Sequence, residues 1–177
     1  MSEFKIIFTG AMGSGKTTAI AAISETEVVS TDMGNSATDE HEKATTTVAV
    51  DFGSITLDDG GIVRLYGTPG QRRFEFMWGI LSKGALGLVI LVDNSRERPL
   101  EDLAIYLDNF AGLIEDTGAV IGVTCTDKGP GPALDEYYEV LLQRKLILPV
   151  FPIDARKKTD VLTLLEALFS YLEAVAR

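Results

Sequence analysis

Cysteine is almost missing from this chain: Cys125 is the only one in 177 residues, so no disulfide can form within it and a reducing compartment suits it. Histidine is as scarce, and His41 has no evident partners for holding a metal, which leaves an exposed side chain as the simpler reading. Long apolar runs are missing too. The longest, residues 85–92, contains Gly87 and falls far short of the roughly 20 residues that cross a bilayer. Positive charge is in deficit, with 16 Lys and Arg against 26 Asp and Glu, a net charge of -10 and a pI near 4.5. The summed field therefore repels nucleic acid and anionic lipid. The tight basic clusters, Arg72-Arg73 and Arg156-Lys157-Lys158, are too small for a nucleic-acid footprint. Residues 1–4 lack a basic leader, Ser2 stands where myristoylation needs glycine, and residues 173–177 hold no prenylation cysteine. These absences lead to the expectation of a cytoplasmic protein with neither a nucleic-acid partner nor an integral membrane segment.

What is present is a globular composition, 46% apolar and 24% charged, in a length that suits one domain spanning residues 1–177. Short apolar runs alternate with stretches of helical period, the pattern of an α/β fold around a mainly parallel sheet. Strands are expected at residues 4–9, 46–57, 61–66, 85–92, 119–124 and 148–153. Helices are expected at 16–24, 73–82, 100–116, 134–144 and 160–176. The last carries Val161, Leu164, Leu165, Leu168 and Leu172 on one stripe, which is core packing and no chemistry. Asp58-Asp59-Gly60 is a tight-turn signal joining the second and third strands as an antiparallel hairpin. Residues 30–45 are polar and aperiodic and read as a long loop of the kind that often carries function.

Gly10-Ala11-Met12-Gly13-Ser14-Gly15-Lys16-Thr17 fits G-x-x-x-x-G-K-[ST] in full and lies between an expected strand and an expected helix. The glycines permit torsions closed to other residues and bring main-chain amides close to phosphate oxygens at the positive end of a helix dipole. Lys16 would neutralise the β- and γ-phosphates, and the Thr17 hydroxyl would ligate Mg²⁺. The phosphate-binding set is Gly10, Gly13, Ser14, Gly15, Lys16, Thr17 and Thr18. A plain Gly-rich turn beside a surface lysine is the competing reading, and the complete pattern in its proper context weighs against it. The loop by itself does not choose between ATP and GTP.

Two further segments narrow the class. Thr45-Thr46-Thr47-Val48-Ala49-Val50-Asp51-Phe52 begins the hairpin, and Tyr66-Gly67-Thr68-Pro69-Gly70-Gln71-Arg72-Arg73-Phe74 follows it. With the loop near the start of the sequence, they resemble the small Ras-like GTPases, whose first switch carries a threonine and whose second carries D-x-x-G-Q. The resemblance implies a three-layer P-loop NTPase sandwich, with a mainly parallel six-stranded sheet and one antiparallel edge strand. It implies Thr47 as a Mg²⁺ ligand and γ-phosphate sensor, Gly70 as an amide donor to the γ-phosphate, and Gln71 as the residue orienting the attacking water. Taken singly, Thr47 suits a strand and Gln71 a solvated helix start; their joint spacing behind the loop favours the switch. Thr124-Cys125-Thr126-Asp127 stands where the family has N-K-x-D, so Thr124 and Asp127 would meet a guanine base. Asp154-Ala155-Arg156 stands where it has S-A-K, which implicates Ala155 and Arg156. Asp127 fits equally well as a carboxylate capping the turn before Lys128-Gly129-Pro130.

Three positions depart from that pattern. Gly67 replaces the switch aspartate; Asp51, four residues after Thr47 and so on the same strand face, is the expected metal-side substitute, ahead of the hairpin-tip Asp58 and Asp59. Met12 is bulky where Ras itself has glycine, and it would crowd Gln71 or an incoming arginine and slow hydrolysis. Cys125 lacks the lysine stem that packs along the base. The Gly67-Thr68-Pro69-Gly70-Gln71 form is similar to the bacterial branch that includes the gliding-motility polarity (MglA-like) and conservon GTPases. For that branch the resemblance implies GTP/GDP and Mg²⁺ as cofactors, a regulator of Roadblock type and a downstream effector. The expected function is a guanine-nucleotide switch that hydrolyses GTP slowly. A pseudo-GTPase scaffold is the main rival. A small-molecule kinase is disfavoured, because residues 100–144 hold a single arginine, Arg144, and so no lid. Arg72 and Arg73 either meet a regulator or are solvated helix-start charges. Trp78, the only tryptophan, is expected to be partly buried against the sheet.

Overall fold

The structure, a computed structural model, describes residues 2–34 and 47–176, with the side chains of 30–34 and 47–49 left aside. His41, Thr45 and Thr46 lie outside the described residues. Strand β1, Glu3–Thr9, occupies the middle of the sheet, and the chain then passes through the phosphate loop into helix α1, Lys16–Ile23. Strands β2, Val29–Gly34, β3, Thr47–Thr56, and β4, Ile62–Gly67, follow. A 3₁₀ turn at Arg72–Phe74 leads into α2, Glu75–Ser82. Then come β5, Gly87–Asp93, helices α3, Pro99–Asn109, and α4, Ala111–Asp116, and β6, Ala119–Thr124. The chain ends in α5, Leu134–Gln143, β7, Val150–Pro152, and α6, Lys158–Val175.

The described strands form one sheet in the order β2-β3-β4-β1-β5-β6-β7. β3 alone runs against the others, pairing antiparallel with both β2 and β4. The α/β class and its single antiparallel strand are as expected. The expected edge position is not: residues 29–34, read mostly as loop, add a seventh strand outside β3. Val29 pairs with Phe52 and Gly34 with Thr47, so backbone pairing against β3 holds a segment that has no apolar alternation of its own.

Period-2 alternation divides the core between two faces. Ile6 and Phe8 of β1 join Val89 and Leu91 of β5 beneath α1 and α6, where Ile20, Val161, Leu164 and Leu168 are buried. Ile7, Leu88, Ile90 and Val92 face the other way, onto Trp78, Leu103, Tyr106, Phe110, Tyr137 and Leu141 from α2 to α5. β5 and β6 are apolar almost throughout because both their faces are covered. The expected helix over residues 100–116 bends at Phe110, with φ -103° and ψ 14°. Hydrogen bonding runs through the bend, from Phe110 N–H to Tyr106 O and from Ile114 N–H to Phe110 O. The buried Phe110 ring stacks on Trp78, which fixes the direction of the turn there.

Candidate functional site

The phosphate loop leaves the carboxyl end of the central strand, where an open α/β sheet forms its binding crevice. Gly13 and Gly15 take left-handed torsions, φ 80° and 104°. Gly10 admits no side chain, since a Cβ there would lie 2.2 Å from the Leu91 carbonyl oxygen. Lys16 is 8% exposed, and its ammonium donates to the carbonyls of Gly10 at 2.7 Å and Ala11 at 2.8 Å. Burial pushes its pKa down to about 8; the charge of Asp51 opposes that shift and the charge of Arg96 adds to it. Ser14 is buried within the loop, and its carbonyl accepts a hydrogen bond from the Thr124 hydroxyl at 3.0 Å. Thr124 thus joins the end of β6 to the phosphate loop.

β4 ends at Gly67, and the chain crosses in front of the loop. The Thr68 and Thr9 hydroxyls meet at 2.7 Å in a buried pair between adjacent strands. Gly70 packs on the Met12 backbone so closely that a Cβ would sit 2.5 Å from the Met12 nitrogen. Beside it the Gln71 side-chain amide donates to the Met12 sulfur at 3.6 Å, so the methionine that the sequence places next to the glutamine does engage it. Trp78 is more deeply placed than expected, at 2% exposure. Its indole N–H donates to the Pro69 carbonyl at 2.9 Å, and its ring stacks on Tyr106 and Phe110. Arg72 pairs with Glu75 on the next turn, and Arg73 lies over the Phe74 ring.

Asp51 pairs directly across from Gly67 in the β3–β4 ladder. A Cβ on Gly67 would lie 3.1 Å from the Asp51 Cβ and 3.2 Å from its Oδ2, so the missing side chain leaves room for that carboxylate. The Thr17 hydroxyl donates to the same Oδ2. Thr17 and Asp51 together offer hard oxygen donors of the kind Mg²⁺ takes alongside substrate phosphates. A hydroxyl and a carboxylate oxygen in contact at the start of α1 fit such an ion. Thr47 opens β3 opposite Gly34, and its side chain is outside those described.

A cavity of about 670 Å³ lies beside the loop, within the usual range for ligand sites. It brings Gly13, Gly15 and Thr18 together with Thr124, Cys125, Asp127, Ala155 and Arg156. Cys125 holds a left-handed φ of 57° at the turn out of β6. The Asp154 carboxylate takes the Arg156 guanidinium through two bonds, at 2.8 and 2.7 Å, and its Oδ1 also accepts the Arg156 amide. These bonds hold the Asp154 carboxyl well below the ordinary carboxylate range. Ala155 packs inward: a Cβ placed on Gly15 would meet the Ala155 methyl at 3.0 Å.

The sequence reading missed two groups. Asn94, 6% exposed just past β5, accepts from the buried Tyr137 hydroxyl at 2.6 Å and anchors the segment after β6. Arg96 pairs with Asp102 at 2.7 Å and reaches the Met12 carbonyl at 3.5 Å. With Gly70 and Gln71 it lines a second cavity of about 320 Å³. Both follow the carboxyl end of a parallel strand, a position that could have drawn notice to them.

Among curated proteins, an uncharacterized protein of Methanocaldococcus jannaschii is 34% identical over 100 residues, covering 56% of this chain and 57% of its own length. The Ras-related protein Rab-8A of Gallus gallus is 28% identical over 109 residues, covering 60% of this chain and 47% of its own. The chain thus spans about half the length of the curated relatives it matches. No helix among the described residues is long and apolar enough to cross a membrane. A family described as conserved hypothetical ATP binding protein matches residues 25–127, which hold β3, β4, the Gly70-Gln71 turn and Asp127. With more than half its length matched and a phosphate loop at the carboxyl end of its central strand, the chain is a nucleotide-binding P-loop protein that belongs to this family.

Proposed function

We propose that this chain, acting as a single G domain over residues 1–177, is a guanine-nucleotide switch that binds GTP or GDP with Mg²⁺ and hydrolyses GTP slowly. The observation that carries the reading is the 670 Å³ cavity, which joins the phosphate-loop glycines to Asp127 and Ala155. A carboxylate at Asp127 suits the N1–H and exocyclic amine of guanine, and the Ala155 amide suits its O6. Thr17, Asp51 and Thr47 would hold Mg²⁺, which when bound neutralises the phosphate oxygens. Gly70 and Gln71 would meet the γ-phosphate and the attacking water, with Met12 against Gln71 as the cause of slow turnover. Loss of the γ-phosphate would release the segment from Gly67 to Phe76. A regulator of Roadblock type and an effector would then read that surface, as in the MglA-like branch.

Chromatography of nucleotide released from the purified protein tests the base. GDP or GTP is expected, and ATP or ADP would sink the guanine assignment. An adenine nucleotide is the second reading, supported by the family's own description and by Thr124-Cys125 where guanine binders carry Asn-Lys. Turnover is tested separately: single-turnover GTP hydrolysis is expected to fall at least tenfold in Gln71→Leu. A wild-type protein that binds GTP without releasing phosphate would be the pseudo-GTPase.

A further inference from the structure

We propose that Arg96 is a catalytic residue in this chain, an arginine that leaves the Met12 carbonyl to bind the terminal phosphate as the nucleotide is hydrolysed. The inference rests on the GTP-hydrolysing reading above. Its carrying observation is placement. Arg96 lines the 320 Å³ cavity together with Ala11, Met12, Gly70 and Gln71, on the face of the loop where the terminal phosphate would lie. Asp102, on α3, binds the guanidinium through Nε at 2.7 Å and leaves its Nη1 end aimed at the phosphate loop. That end contacts the Met12 carbonyl at 3.5 Å, the outer limit of a hydrogen bond, so little is lost when it moves. The Arg96 charge already acts on Lys16, which places the two cations in one local field.

Arg72, the other guanidinium in the cavity, is a weaker candidate. It is bound to Glu75 and its side chain is 67% exposed, against 42% for Arg96. A fork held on its Nε edge by a carboxylate and facing the site of developing charge needs only its Nη1 end to swing in order to stabilise a transition state. In the reaction a water oxygen bonds to the terminal phosphorus while the bond to the β–γ bridging oxygen breaks. The electron pair leaves on GDP, and the water's proton ends on inorganic phosphate. Arg96 gives no atom and no proton; it offsets charge on the transferring group, the role arginines play in phosphoryl transfer generally.

The test loads full-length wild type, Arg96→Ala and Arg96→Lys with GTP and follows phosphate release in a single turnover. GDP affinity and capture of GDP with aluminium fluoride, a mimic of the planar phosphoryl group, are measured beside it. Arg96→Ala is expected to slow hydrolysis at least tenfold and abolish aluminium fluoride capture, with GDP affinity within threefold of wild type. Arg96→Lys keeps the charge without the fork, and recovery of less than half the rate is expected. Hydrolysis by Arg96→Ala within twofold of wild type overturns the proposal alone. A parallel loss of GDP affinity overturns it as well, since Arg96 would then be a structural tie of the loop. If the wild type releases no phosphate, the hydrolysis reading fails and this inference falls with it.

Discussion

Thr17 and Asp51 stand 34 positions apart, yet their hydroxyl and carboxylate are in contact. The pairing of Asp51 with Gly67 makes the contact possible, because any side chain at 67 would press on that carboxylate. A swap tests whether the carboxylate has moved across the ladder. Asp51→Ala is expected to reduce the Mg²⁺ dependence of GDP affinity at least tenfold. Gly67→Asp alone is expected to impair binding by crowding two carboxylates. The combined Asp51→Gly and Gly67→Asp variant is expected to recover much of the dependence; an Asp51→Ala protein with wild-type Mg²⁺ dependence would refute the assignment. The Thr124 hydroxyl bridge to Ser14 invites a second residue-scale test. Thr124→Val keeps the shape and removes a hydrogen bond worth about 1 kcal/mol, so GDP dissociation is expected to quicken roughly fivefold in a stopped-flow chase.

At the scale of elements, α2 is joined to the segment ahead of it by Trp78, whose indole holds the Pro69 carbonyl next to Gly70. Any movement of Gly70 on loss of the γ-phosphate would therefore be felt at the indole and at its stack on Tyr106 and Phe110. Because Trp78 is the only tryptophan, its fluorescence is expected to be that of a buried indole and to change in intensity when GDP is exchanged for a non-hydrolysable GTP analogue. Identical emission in the two states would separate α2 from nucleotide sensing. Trp78→Phe is expected to cost about 1–3 kcal/mol in denaturant unfolding, from lost packing and the unpaired Pro69 carbonyl. The strands and most helices were legible in apolar periodicity. β2 was not, since Ser30, Thr31 and Asp32 show no alternation and form a strand only because β3 offers a free edge. The bend at Phe110 was equally hidden, because the residue at the bend stacks on Trp78 of another helix, a contact outside its local period.

For the whole molecule, nucleotide and fold are linked by mass action. A ligand that binds only the folded state at about 1,000 times its Kd stabilises it by roughly 4 kcal/mol, and each kcal/mol shifts Tm by about 2–4 °C in a domain of this size. GDP with Mg²⁺ is expected to raise Tm by about 8–16 °C in a thermal melt, and ADP with Mg²⁺ by much less. Equal shifts would count against guanine selectivity at Asp127. The acidic surface, with net charge -10, would not oppose this binding, because the phosphates would meet buried Lys16 and backbone amides in place of the mean field.

Resemblance to the small Ras-like GTPases implied Gly70, Gln71, Asp127 and Ala155 as site residues, and the sequence by itself determined the phosphate loop with Thr17 and the α/β alternation. These are local properties, written as spacing within a few residues or as a period of 2 or 3.6. Strand alternation also put Asp51 forward, but only the tertiary structure set its carboxylate opposite Gly67 and against Thr17. Tertiary structure alone brought Arg96 beside Gln71, tied Thr124 to Ser14 and drew Trp78 onto Pro69. Those contacts join segments far apart in the chain, and their partners are selected by sheet register and helix packing, which no short window of sequence contains.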